Sequence, residues 1–399
     1  MLVVPRSLLT PTMVFLGIMS SMGLDAGYIV LPPLAAALYQ SIGRSPLAGI
    51  AAVFAGVAAG FNANLFVTGL DPMLAALSQL GARTIDADYQ VAATCNWWFM
   101  IASTFLITGA GWLASSLFVE RRLHTKSASE GGPSEVSSDA LDEQRLTAPE
   151  RRALMGAGIV TLLLLGLIVA LVFIPGSPLH GADGPFPRWV NVITPLIFIC
   201  FLVPGLVYGI LMGNVRSSQD AADLMVHAMS NMAPIIVLAF FAAQFIEYFK
   251  YSKLDVMLAY TGGTWLAEQD MGPIPLMIAF VLVTLVFNLF IGSMSAKYTM
   301  FAPIFIPMFM LAAGVSPELT QAAYRIGDSV SNSITPLNAY LVIVLVFIKK
   351  YVPHAGMGTL ISMMLPYTIV FTIVWVAMLV VWMVLGIELG PEGPLTWTP

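Results

Sequence analysis

Four ionisable side chains, Asp25, Lys297, Arg325 and Asp328, interrupt long apolar stretches of the sequence. Placing such a group near the centre of a bilayer costs about 2.5–3.5 kcal/mol or more, so those that occur there face a cavity, a partner or a transported ion. Arg325 and Asp328 lie three positions apart, on one helical face and within pairing distance. They either neutralise each other within the bundle or divide two tasks. In the second case Arg325 holds an anion with its planar fork and Asp328 binds a proton or a cation. Asp25 has no partner close in sequence. It would cap the helical arm that follows it and, desolvated, would take up a proton, as a coupling group must. Asp71 stands just before Pro72 and is expected near the outer end of its helix.

Uncharged polar residues gather beside these groups. The runs Asn62-Ala63-Asn64 through Thr68 and Ser331-Asn332-Ser333 through Thr335 break two apolar segments. Helix breaks of this kind expose backbone groups and hydroxyls to ligands, although small residues also serve close helix packing. Cys95 and Cys200 are far apart, and His124, His180, His227 and His354 never stand at ligand spacing. A disulfide framework and a Cys or His metal site are therefore excluded, and no cofactor is called for. The net charge of −5 is spread thinly and offers no basic face to nucleic acid.

The elements that must position these residues are transmembrane helices. Of 399 residues 58% are hydrophobic and only 10% charged, against about 25% charged in soluble domains. The fold class is an all-α polytopic membrane protein. Windows of about 20 apolar residues, the length that crosses the hydrocarbon core, lie at 46–72, 92–119, 153–174, 190–213, 225–249, 320–348 and 359–386. Two further stretches, 9–42 and 273–313, double back around small-residue tips at Ser20–Gly27 and Gly292–Lys297. The arms of the first are too short to cross twice, which predicts a re-entrant hairpin; the second is a hairpin or two full spans. The N-terminus lacks the ordered regions of a cleavable signal peptide.

The polar segment 120–152 reads as a flexible loop. Placing it in the cytoplasm puts eleven Lys and Arg inside, among them Arg6, Arg44, Arg121, Arg122, Arg151, Arg152, Arg216, Lys349 and Lys350, against four outside (Arg83, Arg188, Lys250 and Lys253). The positive-inside rule then orients the chain and leaves the C-terminal tail, 387–399, external. In that orientation the two hairpins enter from opposite sides, and each is followed by an interrupted helix and one ordinary span. From Ser21 to Asn62 is 41 positions, and from Ser293 to Asn332 is 39. This order is the mark of an inverted-repeat secondary transporter with two re-entrant hairpins and two interrupted helices. The first repeat covers 1–119, the span 153–174 links the units, and the second covers 190–386. Two spans, 190–213 and 225–249, precede the second hairpin and none precedes the first, so the symmetry predicts two further spans before residue 1.

The same residues carry a resemblance. Asp25-Ala26-Gly27-Tyr28 with Leu31-Pro32-Pro33-Leu34-Ala35, Ala59-Gly60-Phe61-Asn62-Ala63-Asn64-Leu65, Cys95-Asn96-Trp97-Trp98-Phe99 and Ser295-Ala296-Lys297 resemble the AbgT family of p-aminobenzoyl-glutamate transporters. So does the stretch from Ser316-Pro317-Glu318-Leu319-Thr320 through Tyr324-Arg325-Ile326-Gly327-Asp328 to Thr335-Pro336-Leu337-Asn338. The similarity spans nearly the whole chain and is weakest in the 120–152 loop. It implies nine spans and two hairpins, a bowl-shaped homodimer in the bacterial inner membrane, and no enzyme activity. It also implies transport of p-aminobenzoyl-glutamate, a folate catabolite, or efflux of sulfonamide-like antimetabolites, driven by protons or sodium. The family's transport positions fall on Asp25, Asn288, Ser295, Arg325, Asp328 and Pro336. The family's usual Trp after Ser-Ala-Lys is Tyr298 here, which keeps a stacking face for an aminobenzoyl ring and adds a hydroxyl.

Residues and resemblance together assign substrate binding to Asn62, Ser295, Tyr298, Arg325, Asn332 and Pro336. Ion coupling falls to Asp25, Asn288 and Asp328, with Asn288 and Asp328 the place for a sodium ion. A generic dicarboxylate carrier is the alternative within transport, and a channel built on hairpins the alternative outside it. An intramembrane aspartyl protease would need paired Asp motifs on adjacent helices, which the sequence lacks.

Overall fold

The computed structural model describes residues 5, 7–23, 26–133, 136, 146–182, 187–231, 233–269, 271–338 and 340–398. Within them the chain is built of helices and has no strand, in agreement with the all-α expectation.

Leu9–Ser20 (α1) and Ala26–Gln40 (α2) form the first hairpin; with 12 and 15 residues, neither arm is long enough to cross a bilayer. Helix α3, Pro46–Phe54, starts on Ser45, whose hydroxyl accepts from the Ala48 amide, with proline in its first turn. It continues through one π turn, Ala55–Ala59. The backbone leaves the helix over residues 60–69 and re-enters as α4, Leu70–Ala82. The interrupted helix predicted at 46–72 therefore reaches Ala82, and its second arm starts inside the bundle. A Cβ on Gly17 would lie 2.4 Å from the Val53 carbonyl oxygen, and one on Gly56 2.2 Å from that of Val14. Glycine at both places is what lets α1 and α3 touch backbone to backbone. Helix α5, Trp97–His124, closes the first half. Glu120 near its end ties the open end of the hairpin in place, pairing with Arg44 and accepting from Thr10 at 3.1 Å.

Helix α6 is Ala148–Phe173 and α7 is Ile193–Leu211. Leu162, Leu163 and Phe173 on α6 are largely exposed, at 71%, 69% and 75%, an apolar surface suited to lipid. The span predicted at 225–249 is helical over the described residues on either side of position 232, Ser218–Asn231 (α8) and Ala233–Tyr251 (α9). Lys253, in the left-handed region at φ 56°, turns the chain into a helix that hydropathy did not predict, α10, Leu254–Glu268. Its Thr, Tyr and Gly residues dilute the apolar signal. Gly262 and Gly263 fit it against Met308 and Leu311.

The second half repeats the order of the first. Pro273–Asn288 (α11) and Met294–Ala313 (α12) form the second hairpin. Pro317–Ser331 (α13) and Tyr340–Tyr351 (α14) form a broken helix, and Met357–Leu385 (α15) a long one. The second arm of each hairpin carries two internal prolines, Pro32 and Pro33 in α2, Pro303 and Pro307 in α12. In each half the hairpin is tied to the following helix break through an asparagine. Ser21 Oγ donates to Asn64 Oδ1 at 2.9 Å, and Asn288 Nδ2 to Asn332 Oδ1 at 2.9 Å. Among the described residues five helices, α5, α6, α7, α12 and α15, are long and apolar enough to cross a membrane. The C-terminal segment is fastened to the bundle: the Phe99 amide donates to the Leu389 carbonyl at 2.9 Å and Ser316 Oγ to that of Pro394 at 2.6 Å.

Candidate functional site

Helix α13 is the centre of the site. Ser316 caps it, its hydroxyl accepting from the Leu319 amide at 3.0 Å, and Pro317 occupies the first turn. The helix is rich in polar residues, yet all of them from Pro317 to Ser331 are buried. A buried polar helix must find its partners on other elements. Glu318, Gln321, Arg325 and Asp328 fall at spacings of three, four and three, which puts them on one face.

Arg325 and Asp328 do not pair with each other, as their spacing suggested; each reaches across to a different element. Arg325 Nη2 lies 2.5 Å from Asp71 Oδ1, and the two side chains are 4% and 2% exposed. The second Asp71 oxygen accepts from the Thr68 amide at 2.6 Å and its hydroxyl at 2.8 Å. Asp71 sits in the first turn of α4, where the helix dipole favours a negative charge. It is buried, in the helix that resumes after the break at 60–69. Arg325 Nη1 lies 3.3 Å from Met100 Sδ.

Asp328 is held by Lys297 from the first turn of α12. Lys297 Nζ is 2.7 Å from Asp328 Oδ1 and donates to Asn288 Oδ1 at 2.5 Å, and it is fully buried. Asn288, the last residue of α11, donates through Nδ2 to the Asp328 carbonyl at 2.7 Å and to Ser331 Oγ at 2.9 Å. From the first half, Asn62 Nδ2 donates to Ser329 Oγ at 2.6 Å and to the Arg325 carbonyl at 3.2 Å. Both helix breaks thus converge on α13.

The structure brings together Asn62, Asn288, Arg325, Asp328 and Asn332. Ser295 lies at the second hairpin tip, half-buried, its hydroxyl 3.4 Å from that of Ser293. Pro336 is exposed in the break between α13 and α14. Asp25 lies outside the described residues. Tyr298 is fully enclosed: its ring centroid is 4.3 Å from that of Tyr324, and its hydroxyl is 2.6 Å from Ser78 Oγ. Sequence reading left Asp71 and Lys297 out of the site, although both were visible as ionisable groups near a break or a tip. Gln321 and Ser78, joined at 2.8 Å, had no signal beyond their polarity.

The arrangement is one of internal ions that can be exchanged for external ones. An anion can replace Asp71 at Arg325, and a proton can replace Lys297 at Asp328. The oxygens of Asn288 and Asp328 are the hard donors that sodium prefers, but the Lys297 ammonium already holds both. Among the described residues no three His, Cys, Asp or Glu side chains gather for a metal ion.

Comparison with known proteins identifies the family. The AbgT putative transporter family matches residues 1–397. The p-aminobenzoyl-glutamate transport protein of Escherichia coli (strain K12) is 34% identical over 382 residues, covering 94% of this chain and 73% of its own. The Alcanivorax borkumensis YdaH transporter, whose crystal structure shows an unusual topology, superposes with a TM-score of 0.86 at 43% identity, over 96% of this chain and 80% of that one. Neisseria gonorrhoeae MtrF, described as illuminating a class of antimetabolite efflux pumps, superposes with a TM-score of 0.87 at 40% identity, over 98% of this chain and 77% of that one. A match of this extent in sequence and in fold places the chain in the AbgT transporter family, as a multi-pass membrane protein.

Proposed function

We propose that the chain is a proton-coupled secondary transporter for p-aminobenzoyl-glutamate or a related aromatic antimetabolite, sulfonamides included. The observation that carries this reading is the pair of buried ion pairs on one helix, Arg325–Asp71 and Lys297–Asp328. Arg325 binds a substrate carboxylate by its fork, and the substrate displaces Asp71 to reach it. Asn62, Ser295, Asn332 and Pro336 line the path at the tip and the breaks. Tyr298, its ring against Tyr324, meets the aromatic part of the substrate only after α12 shifts. Asp328, with Asn288 and Asp25, carries the coupling proton; protonation of Asp328 releases Lys297. A sodium ion would first have to displace that ammonium, which favours the proton as coupling ion. Alternating access then moves one hairpin and its broken helix against the other, and the cycle runs in either direction with the gradient. The protein works as a homodimer in the inner membrane, with 120–152 cytoplasmic and the C-terminus external.

Flux of labelled p-aminobenzoyl-glutamate into proteoliposomes under imposed proton or sodium gradients tests the proposal, with sulfonamide and simple dicarboxylates as competitors. Accumulation driven by the proton gradient, competed by the sulfonamide, is the expected result. Accumulation driven by sodium alone, or equal competition by any dicarboxylate, would overturn it.

A further inference from the structure

The polar face of α13 starts before the two ion pairs, at Glu318. This side chain is 1% exposed and accepts from Tyr89 Oη at 3.0 Å. Among the described residues no Lys, Arg or His stands within ion-pair distance of it. The titratable groups around it are Tyr89 and Cys95, from the connection before α5, and Tyr298 from α12. Arg83, at the end of α4, is exposed and donates to the Tyr89 carbonyl at 3.2 Å. Helix α11 has no ionisable side chain, and Tyr367, the only one on α15, faces Ser115 and Tyr39. Glu318 stands in the first turn of α13, where the helix dipole favours its charge as that of α4 favours Asp71's, but a carboxylate buried without a cation remains costly where the neutral acid with a hydrogen-bond partner is not.

Seven residues of helix, about 10 Å, separate Glu318 from Arg325. Four buried polar atoms along that interval have no partner: Gln321 Nε2, both amide atoms of Asn96, and Arg325 Nε. Asn96 stands beside this face in the chain, between two residues that touch it. Cys95 Sγ is 3.9 Å from Gln321 Oε1, and Met100 Sδ is 3.3 Å from Arg325 Nη1. Buried polar atoms are almost always satisfied by protein or by ordered water. Gln321 lies between the two ionisable centres along the helix, and its unsatisfied nitrogen, with those of Arg325 and Asn96 nearby, is of the kind that a short chain of waters satisfies.

We propose that Glu318 is a proton-binding site that serves the Asp71–Arg325 pair. The proposal rests on the proton-coupled reading above. Glu318 gives up its O–H proton through water held by Gln321 and Asn96, and an O–H bond forms on Asp71. Asp71, now neutral, releases Arg325, whose guanidinium is free for the substrate carboxylate. The Glu318 carboxylate regains a proton from the aqueous side at the Tyr89 end.

Infrared spectroscopy of the purified protein tests the site without reference to transport. Wild type should show the C=O stretch of a carboxylic acid at neutral pH that is missing from Glu318→Gln, and Tyr89→Phe should shift that band. In proteoliposomes, Glu318→Gln should lose proton-driven accumulation while still exchanging internal for external substrate, since exchange needs no net proton movement. Glu318→Asp should recover part of the accumulation. An acid band unchanged in Glu318→Gln, or wild-type accumulation by that variant, would overturn the proposal. If Glu318→Gln does not insert, an unmoved band in Tyr89→Phe would do so. Accumulation by wild type that ignores the proton gradient would instead overturn the coupling reading, and the infrared band would still decide whether Glu318 holds a proton.

Discussion

Asp71→Asn separates an architectural ion pair from an exchangeable one. The substitution keeps the shape of the side chain and removes its charge, 2.5 Å from a guanidinium that is almost wholly buried. Breaking a buried pair by removing one partner costs about 3–5 kcal/mol, because the other charge is left uncompensated. The Asn oxygen still accepts from Thr68 or Arg325, so a cost near the lower end, about 3 kcal/mol, is expected. Without substrate the variant should therefore melt at a lower temperature than wild type. With substrate the sign reverses at the binding site. A substrate carboxylate supplies the missing negative charge, and no fraction of its binding energy goes into dislodging Asp71. If half of that cost is recovered, about 1.5 kcal/mol, the affinity rises about tenfold. Equilibrium binding of labelled p-aminobenzoyl-glutamate to purified protein, with melting curves with and without it, measures both effects. The variant should bind about tenfold more tightly and gain more thermal stability from substrate than wild type does. Wild-type melting, or affinity no greater than that of wild type, would show that Asp71 does not compete with substrate for Arg325.

Other perturbations probe the neighbouring contacts. Arg325→Lys should weaken substrate binding, because a point charge cannot reproduce a two-pronged carboxylate contact; unchanged affinity in the same binding assay would remove Arg325 from the anion site. Lys297→Met frees Asn288 Oδ1 and Asp328 Oδ1 together, so its melting temperature should rise in sodium relative to choline at equal ionic strength, while that of wild type should not. Tyr298→Phe loses only the bond to Ser78 and should cost about 0.5–1.5 kcal/mol of stability, with affinity unchanged; a several-fold weaker Kd would mean that the hydroxyl reaches the substrate. Gly56→Ala puts a methyl 2.2 Å from the Val14 carbonyl oxygen and should lower the melting temperature through about 1–3 kcal/mol of overpacking, without altering the substrate specificity seen in the competition assay.

Much of this architecture can be read along the chain. Hairpin tips, helix breaks and long spans are one-dimensional features, since a bilayer demands apolar length and makes each polar interruption conspicuous. The element order of the two halves follows from them. Reading failed where the signal is diluted or ambiguous. The Thr, Tyr and Gly residues of α10 hide a helix, and the interrupted helix expected at 46–72 runs on past its break, as α4, to Ala82. The prolines of α2 and α12 did not stop either arm, because neighbouring elements in a packed bundle satisfy what a proline frees.

Sequence alone marked Lys297, Arg325 and Asp328 as ionisable groups within membrane segments, though not Asp71 or Glu318 as buried ones. Only the tertiary structure decided who pairs with whom. Arg325 meets Asp71 across 254 positions, and Lys297 meets Asp328 from the neighbouring hairpin. An i, i+3 contact on a helix surface contributes only about 0.2–0.5 kcal/mol, too little to hold Arg325 and Asp328 together once stronger partners are brought within reach. What brings them is close helix approach, as where α13 meets α11 and a Cβ on Gly327 would lie 2.5 Å from the Val281 carbonyl oxygen. Such a crossing depends on the shape of two surfaces at once, and no pattern along either one contains it.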